Sequence, residues 1–271
     1  MGQPQSPLGE PEAWNLVSRG YVDDMVPQFE AFANEALRLA CVTSGARIVD
    51  VACGPGTLAF AAAARGAHVS ALDFAEDMIA ALETRRRRDG IRNIEARVGN
   101  GMALPYASAS FDAGFSMFGL MFFPERDTGF AELARVLRPG AGAVVSSWQP
   151  LDRVPILGVT FAAIRDHLPD LPFGEDETPL GEAEELRKEM RASGFKAVEV
   201  HQITHRIEAP SLRTWWDSMQ RSMVPIVFIR SRIGHAAFRP IAESIYQRLA
   251  SEFGEGPQKL ELAANFGVGK R

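Results

Sequence analysis

The run Val49-Asp50-Val51-Ala52-Cys53-Gly54-Pro55-Gly56-Thr57 concentrates the residues of this chain best suited to meet a ligand. An apolar stretch precedes it and a helix-forming stretch follows, so the chain must turn sharply where a ligand would touch bare backbone. Glycine suits both demands, having no Cβ and tolerating positive φ. In a parallel α/β sheet the carboxyl end of the first strand is where ligands bind. Asp50, just before the turn, can order it or accept from a positively charged group. Asp73, in Leu72-Asp73-Phe74, closes the next apolar stretch. An acid there can accept from both ribose hydroxyls of an adenosine. Ribose is common to S-adenosylmethionine (SAM) and NAD(P), and Gly54, Gly56 and Ala59 partly match the dinucleotide fingerprint. A dinucleotide site therefore stays open on these residues alone.

General-base chemistry would draw on five histidines, because imidazole titrates near neutral pH. His68 opens a strand away from the ligand edge and reads as structural. His201 and His205 follow the sixth strand, and His167 and His235 fall in segments outside the alternating core. His201, His205 and His235 are the candidate bases. No Ser-His-Asp or Cys-His pattern is visible, and no His/Cys cluster has metal-ligand spacing. Cys41 and Cys53 are the two cysteines, too few for a disulfide framework, which points to a reducing, cytoplasmic setting.

The elements that would position these groups alternate along the chain. Arg47–Ala52 reads as a buried strand, Leu58–Ala64 as a helix, Ala67–Leu72 as a strand and Ala75–Arg86 as a helix. Strands are expected at Ile94–Val98, Phe111–Ser116 and Ala143–Trp148, with a helix at Arg126–Leu137 stopped by Leu137-Arg138-Pro139-Gly140. A helix at Glu182–Ser193 leads into a sixth strand, Phe195–His201. Such alternation predicts an α/β fold with a doubly wound, mostly parallel sheet. Two segments break it, about 150–180 and 209–255, and read as cap insertions over one sheet edge. The chain thus divides into an N-terminal helical lid (1–45), a ligand-binding core (46–149) and the rest of the sheet with its cap (150–271). The cap residues Trp215, Trp216, Met219, Met223, Phe228 and Phe238 fit either an apolar substrate pocket or the cap's own core.

Read together, the segments resemble class I SAM-dependent methyltransferases, most closely the UbiE-like small-molecule enzymes. Val49–Thr57 resembles the first motif, with Ala52 in place of its first glycine, and Asp73 matches the acid of the second. Gly99-Asn100-Gly101-Met102-Ala103-Leu104-Pro105-Tyr106 resembles G-D-A-x-x-L-P-F, with Asn100 where the family has aspartate. Ser110-Phe111-Asp112, Phe118–Phe123 and Leu137–Gly140 complete the set in order. The resemblance covers about Ala46–Trp148 and implies a seven-stranded Rossmann-like fold with a helical cap. It implies SAM as cofactor, S-adenosylhomocysteine as product, and a cofactor site of Asp50, Ala52, Gly54, Gly56, Asp73, Phe74, Met78, Asn100, Gly101, Met102, Met117 and Phe118. An amide at Asn100 can still donate to and accept from adenine, or cap its own turn. By analogy, Trp14 and Tyr21 would close over the cofactor.

Composition narrows the partners. The 271 residues carry 29 basic and 34 acidic side chains, a formal net charge of −5, which leaves little basic surface for nucleic acid. The cluster Arg85–Arg88 reads as the solvated last turn of a helix. No apolar stretch approaches membrane-spanning length, and the N-terminus lacks a signal-peptide pattern. Gly2 and Ser6 match a myristoylation spacing that short polar tails often match by chance. The expected activity is methyl transfer to an O, N or C atom of a small, apolar or aromatic metabolite, by a protein with a possible homodimer contact on its cap. An NAD(P)-dependent oxidoreductase and a non-catalytic SAM-binding module are the alternatives.

Overall fold

The computed structural model describes residues 6–169 and 178–271. The Gly2 pattern and part of the first cap insertion lie outside them. The chain opens with short helices α1 (Pro11–Asn15) and α2 (Ser18–Gly20), a π-helical turn at Tyr21–Met25, and α3 (Val26–Leu39). There follow β1 (Arg47–Val51), α4 (Thr57–Ala64), β2 (His68–Asp73), α5 (Glu76–Arg88), β3 (Ile94–Val98) and β4 (Phe111–Met117). After these come α6 (Arg126–Val136), β5 (Leu137–Trp148), α7 (Pro155–His167), α8 (Ala183–Ala192) and β6 (Lys196–Ala209). Three helices, α9 (Leu212–Ser222), α10 (Val224–Ile233) and α11 (His235–Phe253), precede β7 (Gln258–Lys270).

The strands form one seven-stranded sheet in the order β3-β2-β1-β4-β5-β7-β6. All neighbours are parallel except β7, which runs antiparallel to both β5 and β6. The strand order reverses between β1 and β4, and this opens a crevice beyond their carboxyl ends. Four of the five β1 residues are buried, as a central parallel strand with helices on both faces requires. Asp112 ties three strands at the opposite end. Its carboxylate accepts from the Arg47 amide at 2.8 Å and pairs with Arg138.

Several boundaries differ from the sequence reading. The helix expected to run to Leu137 ends at Val136, and β5 begins at once. Leu137-Arg138-Pro139-Gly140 is therefore the first stretch of a strand. Proline, with no N–H to donate, is tolerated there because the β4–β5 register shifts between Phe111 and Ala113. The sixth strand is twice its expected length. His201 and His205 lie within it, paired with Phe266 and Leu262, rather than after it. The continued alternation of half-buried and exposed residues through Ala209 carries that extension. The seventh strand, whose place the sequence leaves open, is Gln258–Lys270. The α9–α11 cap is inserted between the two strands of this last antiparallel pair.

The N-terminal segment packs between core and cap. Asn15 accepts from the Asp77 amide at 3.0 Å, satisfying a free N–H in the first turn of α5. Asp24 binds Arg221 of α9 at 2.8 and 3.1 Å. The segment is thereby fastened on both sides of the crevice.

Candidate active site

The turn after β1 is built from left-handed backbone. Ala52 has φ +57°, Gly54 φ +52° and Gly56 φ +86°. Ala52 carries a side chain through a conformation that costs a non-glycine residue of order 1 kcal/mol, and the structure makes room for it elsewhere. A Cβ on Gly119 would lie 2.3 Å from the Ala52 Cβ, so the absent side chain at Gly119 accommodates the one present at Ala52. Gly56 begins α4. Its own Cβ would fall 2.9 Å from Leu82 Cδ1 and 3.2 Å from Phe60 Cδ2, so this residue is needed for packing as well as for the turn.

Asp73 braces the turn from the neighbouring strand. One carboxylate oxygen accepts from the Gly54 amide at 2.8 Å and the other from the Ala75 amide at 2.9 Å. Asn100 is exposed, and its Oδ1 accepts from the Met102 amide at 2.8 Å. The amide thus caps its own turn and leaves its NH2 free to donate. Arg85, from the basic run, donates to the Pro55 carbonyl at 2.5 Å and lies over the Phe60 ring. It supports the turn from outside instead of standing in solvent.

Two adjoining cavities open above the turn. The inner one, about 100 Å³, is bordered by eleven of the twelve residues expected at the cofactor site. The exception is Gly56, which faces the core. The outer cavity is about 620 Å³ and mostly apolar. Trp14, Tyr21, Phe29, Phe118 and Phe122 border both. Ring contacts run through this partition: Tyr21 meets Phe29 with centroids 5.9 Å apart, Phe29 stacks on Phe118 at 5.4 Å, and Phe118 stacks on Trp148 at 4.2 Å. Trp14 is fixed by its indole N–H, which donates to the Leu8 carbonyl at 2.9 Å.

The aromatic cap cluster divides. Trp215, Met219 and Met223 border the outer cavity. Trp216, Phe228 and Phe238 do not, and Trp216 and Phe238 are buried in a core that the cap shares with the sheet and α3. None of the candidate bases His201, His205 and His235 borders either cavity. His201 faces Glu199 at 3.7 Å, and His235 starts α11 in an exposed position. His205 packs edge-on against Phe32, one layer behind the inner cavity. The strand that holds His201 and His205 lies at the far edge of the sheet. Leu8, Gly9, Phe29, Phe32 and Pro124 are cavity residues that sequence reasoning missed. An aromatic at helical spacing reads equally well as core, so α3 carried no distinguishing signal.

The inner cavity is acidic. Its ionisable lining consists of Asp50, Asp73, Cys53 and Tyr21, with no basic side chain among the described residues. Burial pushes the Asp50 carboxyl up to about 8, with the nearby Asp73 charge adding to the rise. Burial likewise raises Asp73 to about 6, held back by the backbone amides it accepts from. Cys53 and Tyr21 are both shifted upward by burial and then by Asp73, which keeps them neutral.

Comparison with known proteins places this geometry. Residues 48–140 match the family described as "Methyltransferase domain". A demethylmenaquinone methyltransferase of Clavibacter sepedonicus is 34% identical over 185 residues, covering 64% of this chain and 74% of the relative. An uncharacterised protein of Mycobacterium bovis is 35% identical over 133 residues, covering 49% of this chain and 47% of the relative. The match thus spans about half the length of the mycobacterial protein. Among solved structures, the [4+2]-cyclase SpnF superposes with a TM-score of 0.65 at 16% identity, covering 100% of this chain and 99% of SpnF. That likeness concerns the fold alone, since one fold hosts many reactions. The chain belongs to the class I SAM-dependent methyltransferases, on their UbiE-like side.

Proposed function

We propose that this protein binds SAM in the inner cavity and transfers its methyl group to an apolar small molecule held in the outer one. The observation that carries this reading is the charge of the inner cavity. Two buried carboxylates with no cation beside them fit a ligand that brings positive charge, as a sulfonium bearing an α-ammonium does. One Asp50 oxygen is buried without a hydrogen-bond partner, and an unpaired buried acceptor calls for a donor from the ligand. The charge of Asp73 and the lack of a cation in the lining, among the described residues, disfavour the pyrophosphate of a dinucleotide, so NAD(P) is the poorer fit.

When bound, SAM supplies an electrophilic methyl on an excellent leaving group. The chain's own residues would then align and desolvate. Asp73 would accept from the ribose while bracing Gly54. Phe74 and Met78 would lie against the adenine, with Asn100, Gly101 and Met102 at its edge. Met117 and Phe118 end β4 at the border between cofactor and acceptor. Trp14 and Tyr21, held over the crevice by the N-terminal segment, would exclude water. Among the described residues the outer cavity is lined by no histidine, and its ionisable lining is Glu10, Tyr21 and Arg126. Arg126 is already paired with Glu189 at 2.7 Å and Glu185 at 3.4 Å. Alignment of the acceptor against the methyl group is the contribution these walls can make to rate.

An uncharged, ring-bearing or aliphatic acceptor suits these walls. The quinone in the name of the Clavibacter relative is one molecule of that class. Incubation with methyl-labelled SAM and an apolar metabolite extract tests the proposal, with labelled product expected in the organic phase. Tight SAM binding without any labelled product would favour the non-catalytic module. Protection against heat by NADH but not by S-adenosylhomocysteine would favour the oxidoreductase.

A further inference from the structure

The two carboxylates of the inner cavity are not equivalent. Asp73 has a backbone donor on each oxygen. Asp50 is 1% exposed and borders the same cavity, yet one of its oxygens has no partner. Among the described residues, the groups that share its cavity or act on its charge come from every element packed there. From β2 comes Asp73, and from the turn comes Cys53. The first turn of α4 offers the Ala59 amide. The N-terminal segment contributes Tyr21, α3 contributes Phe29, Phe32 and Ala33, and the end of β4 contributes Met117 and Phe118. None is a cation, so an ionised Asp50 would sit beside ionised Asp73 without compensation. Such a site is stable only if it holds a proton or another positive charge.

Building on the SAM reading above, we propose that Asp50 exchanges a proton for the cofactor's positive charge. In the free protein the Asp50 carboxyl is protonated. Binding a ligand that carries an ammonium or sulfonium group sends that proton to solvent, and the carboxylate left behind becomes the ligand's counter-charge. When the ligand leaves, Asp50 takes a proton back. The shift of Asp50 to about 8 sets the working range. Below that pH, binding must expel a proton and is weakened. Above it, the carboxylate is already charged. Affinity therefore rises with pH up to about 8 and then levels off.

Isothermal titration of the full chain at pH 7, in buffers of different ionisation enthalpy, counts the protons released. SAM is expected to release close to one, and its affinity to rise by up to about tenfold per pH unit between pH 6 and 8. S-adenosylhomocysteine keeps the ammonium and lacks the sulfonium, whereas 5′-methylthioadenosine lacks both. Release with the first two but not the third assigns the ammonium, and release with SAM alone assigns the sulfonium. Equal release with all three overturns the proposal, as does SAM binding with no proton exchange. Absence of SAM binding would instead remove the reading on which the proposal rests. Asp50→Asn, checked for folding by circular dichroism, is expected to bind SAM with almost no proton release and a flat pH dependence. Unchanged release in that variant overturns the assignment to Asp50. Should the variant not fold, difference infrared spectroscopy of the wild type decides. A protonated-carboxyl band lost on SAM binding supports the exchange, and no such loss refutes it.

Discussion

Asp73 accepts a hydrogen bond from the Gly54 amide at 2.8 Å, joining the acid that ends β2 to the turn that ends β1. Its other oxygen takes the Ala75 amide, so one side chain sets the turn and the start of α5 together. The Ala75 link is buried and the Gly54 link half-buried, which gives the position a structural duty alongside any contact with ribose.

Asp73→Ala is accordingly expected to do two things. Leaving the buried Ala75 amide and the half-buried Gly54 amide without acceptors should lower unfolding free energy by about 1–3 kcal/mol, measured by urea denaturation. SAM affinity, measured by calorimetry on the folded fraction, should fall by at least about tenfold, as for loss of a charged hydrogen-bond partner. A variant with wild-type stability would show that the two backbone links carry no weight. Unchanged affinity would remove Asp73 from the ligand site.

Gly56→Ala separates packing from binding. Its added methyl meets Leu82, fully buried, and Phe60 at the start of α4, on backbone with positive φ. A stability loss of about 1–3 kcal/mol is expected from overpacking and strain. Ligand affinity should change less than stability, because Gly56 does not border the inner cavity. A thermal melt beside a SAM titration checks both halves.

Met223→Trp tests the outer cavity. Met223 lines it without bordering the inner one, so a larger side chain takes space from the acceptor alone. We expect kcat/KM for an apolar acceptor to drop about tenfold or more, as crowding an apolar pocket does. The dissociation constant for SAM should stay within about twofold, since no inner-cavity contact changes. Loss of SAM affinity of the same size would mean that the two cavities are not separable.

The stability of the ligand-free protein should also report Asp50. Its folded pKa of about 8 lies above the ordinary aspartate value of about 3.9. The native state therefore keeps a proton that the unfolded chain has lost. This contribution is fully present below pH 4 and disappears as pH rises through 8, with a slope of at most about 1.4 kcal/mol per pH unit. Asp73, raised to about 6, acts in the same direction at lower pH. Thermal unfolding from pH 6 to 8 should show falling stability, and Asp50→Asn should flatten that profile and raise the Tm at pH 8. A profile indifferent to the substitution would place the pH dependence elsewhere.

How much of this was legible in advance differed by element. The β1–turn–α4 unit, Asp73 and the Asn100 turn were readable because each depends on local backbone demands that particular residues meet. The seventh strand and the length of β6 were harder to read. They are stabilised by each other across the inserted cap, and pairing between distant segments leaves little local periodicity. The place of the candidate histidines was hidden for a related reason. Residue type marks them as bases, but His201 and His205 lie on the edge strand β6 and His235 starts α11, and none of them borders either cavity.

The sequence by itself determined the family, the alternation of strands and helices through about Trp148, and the turn where a ligand would meet the backbone. It could do so because turn chemistry and hydrophobic period act over a few residues. Tertiary structure alone decided which aromatics divide the two cavities and how Gly119 makes room for Ala52. It also set Asp50 beside Asp73 with no cation between them. Those features depend on burial and on distances between segments far apart in the chain, and in a buried site such distances set the electrostatic energy.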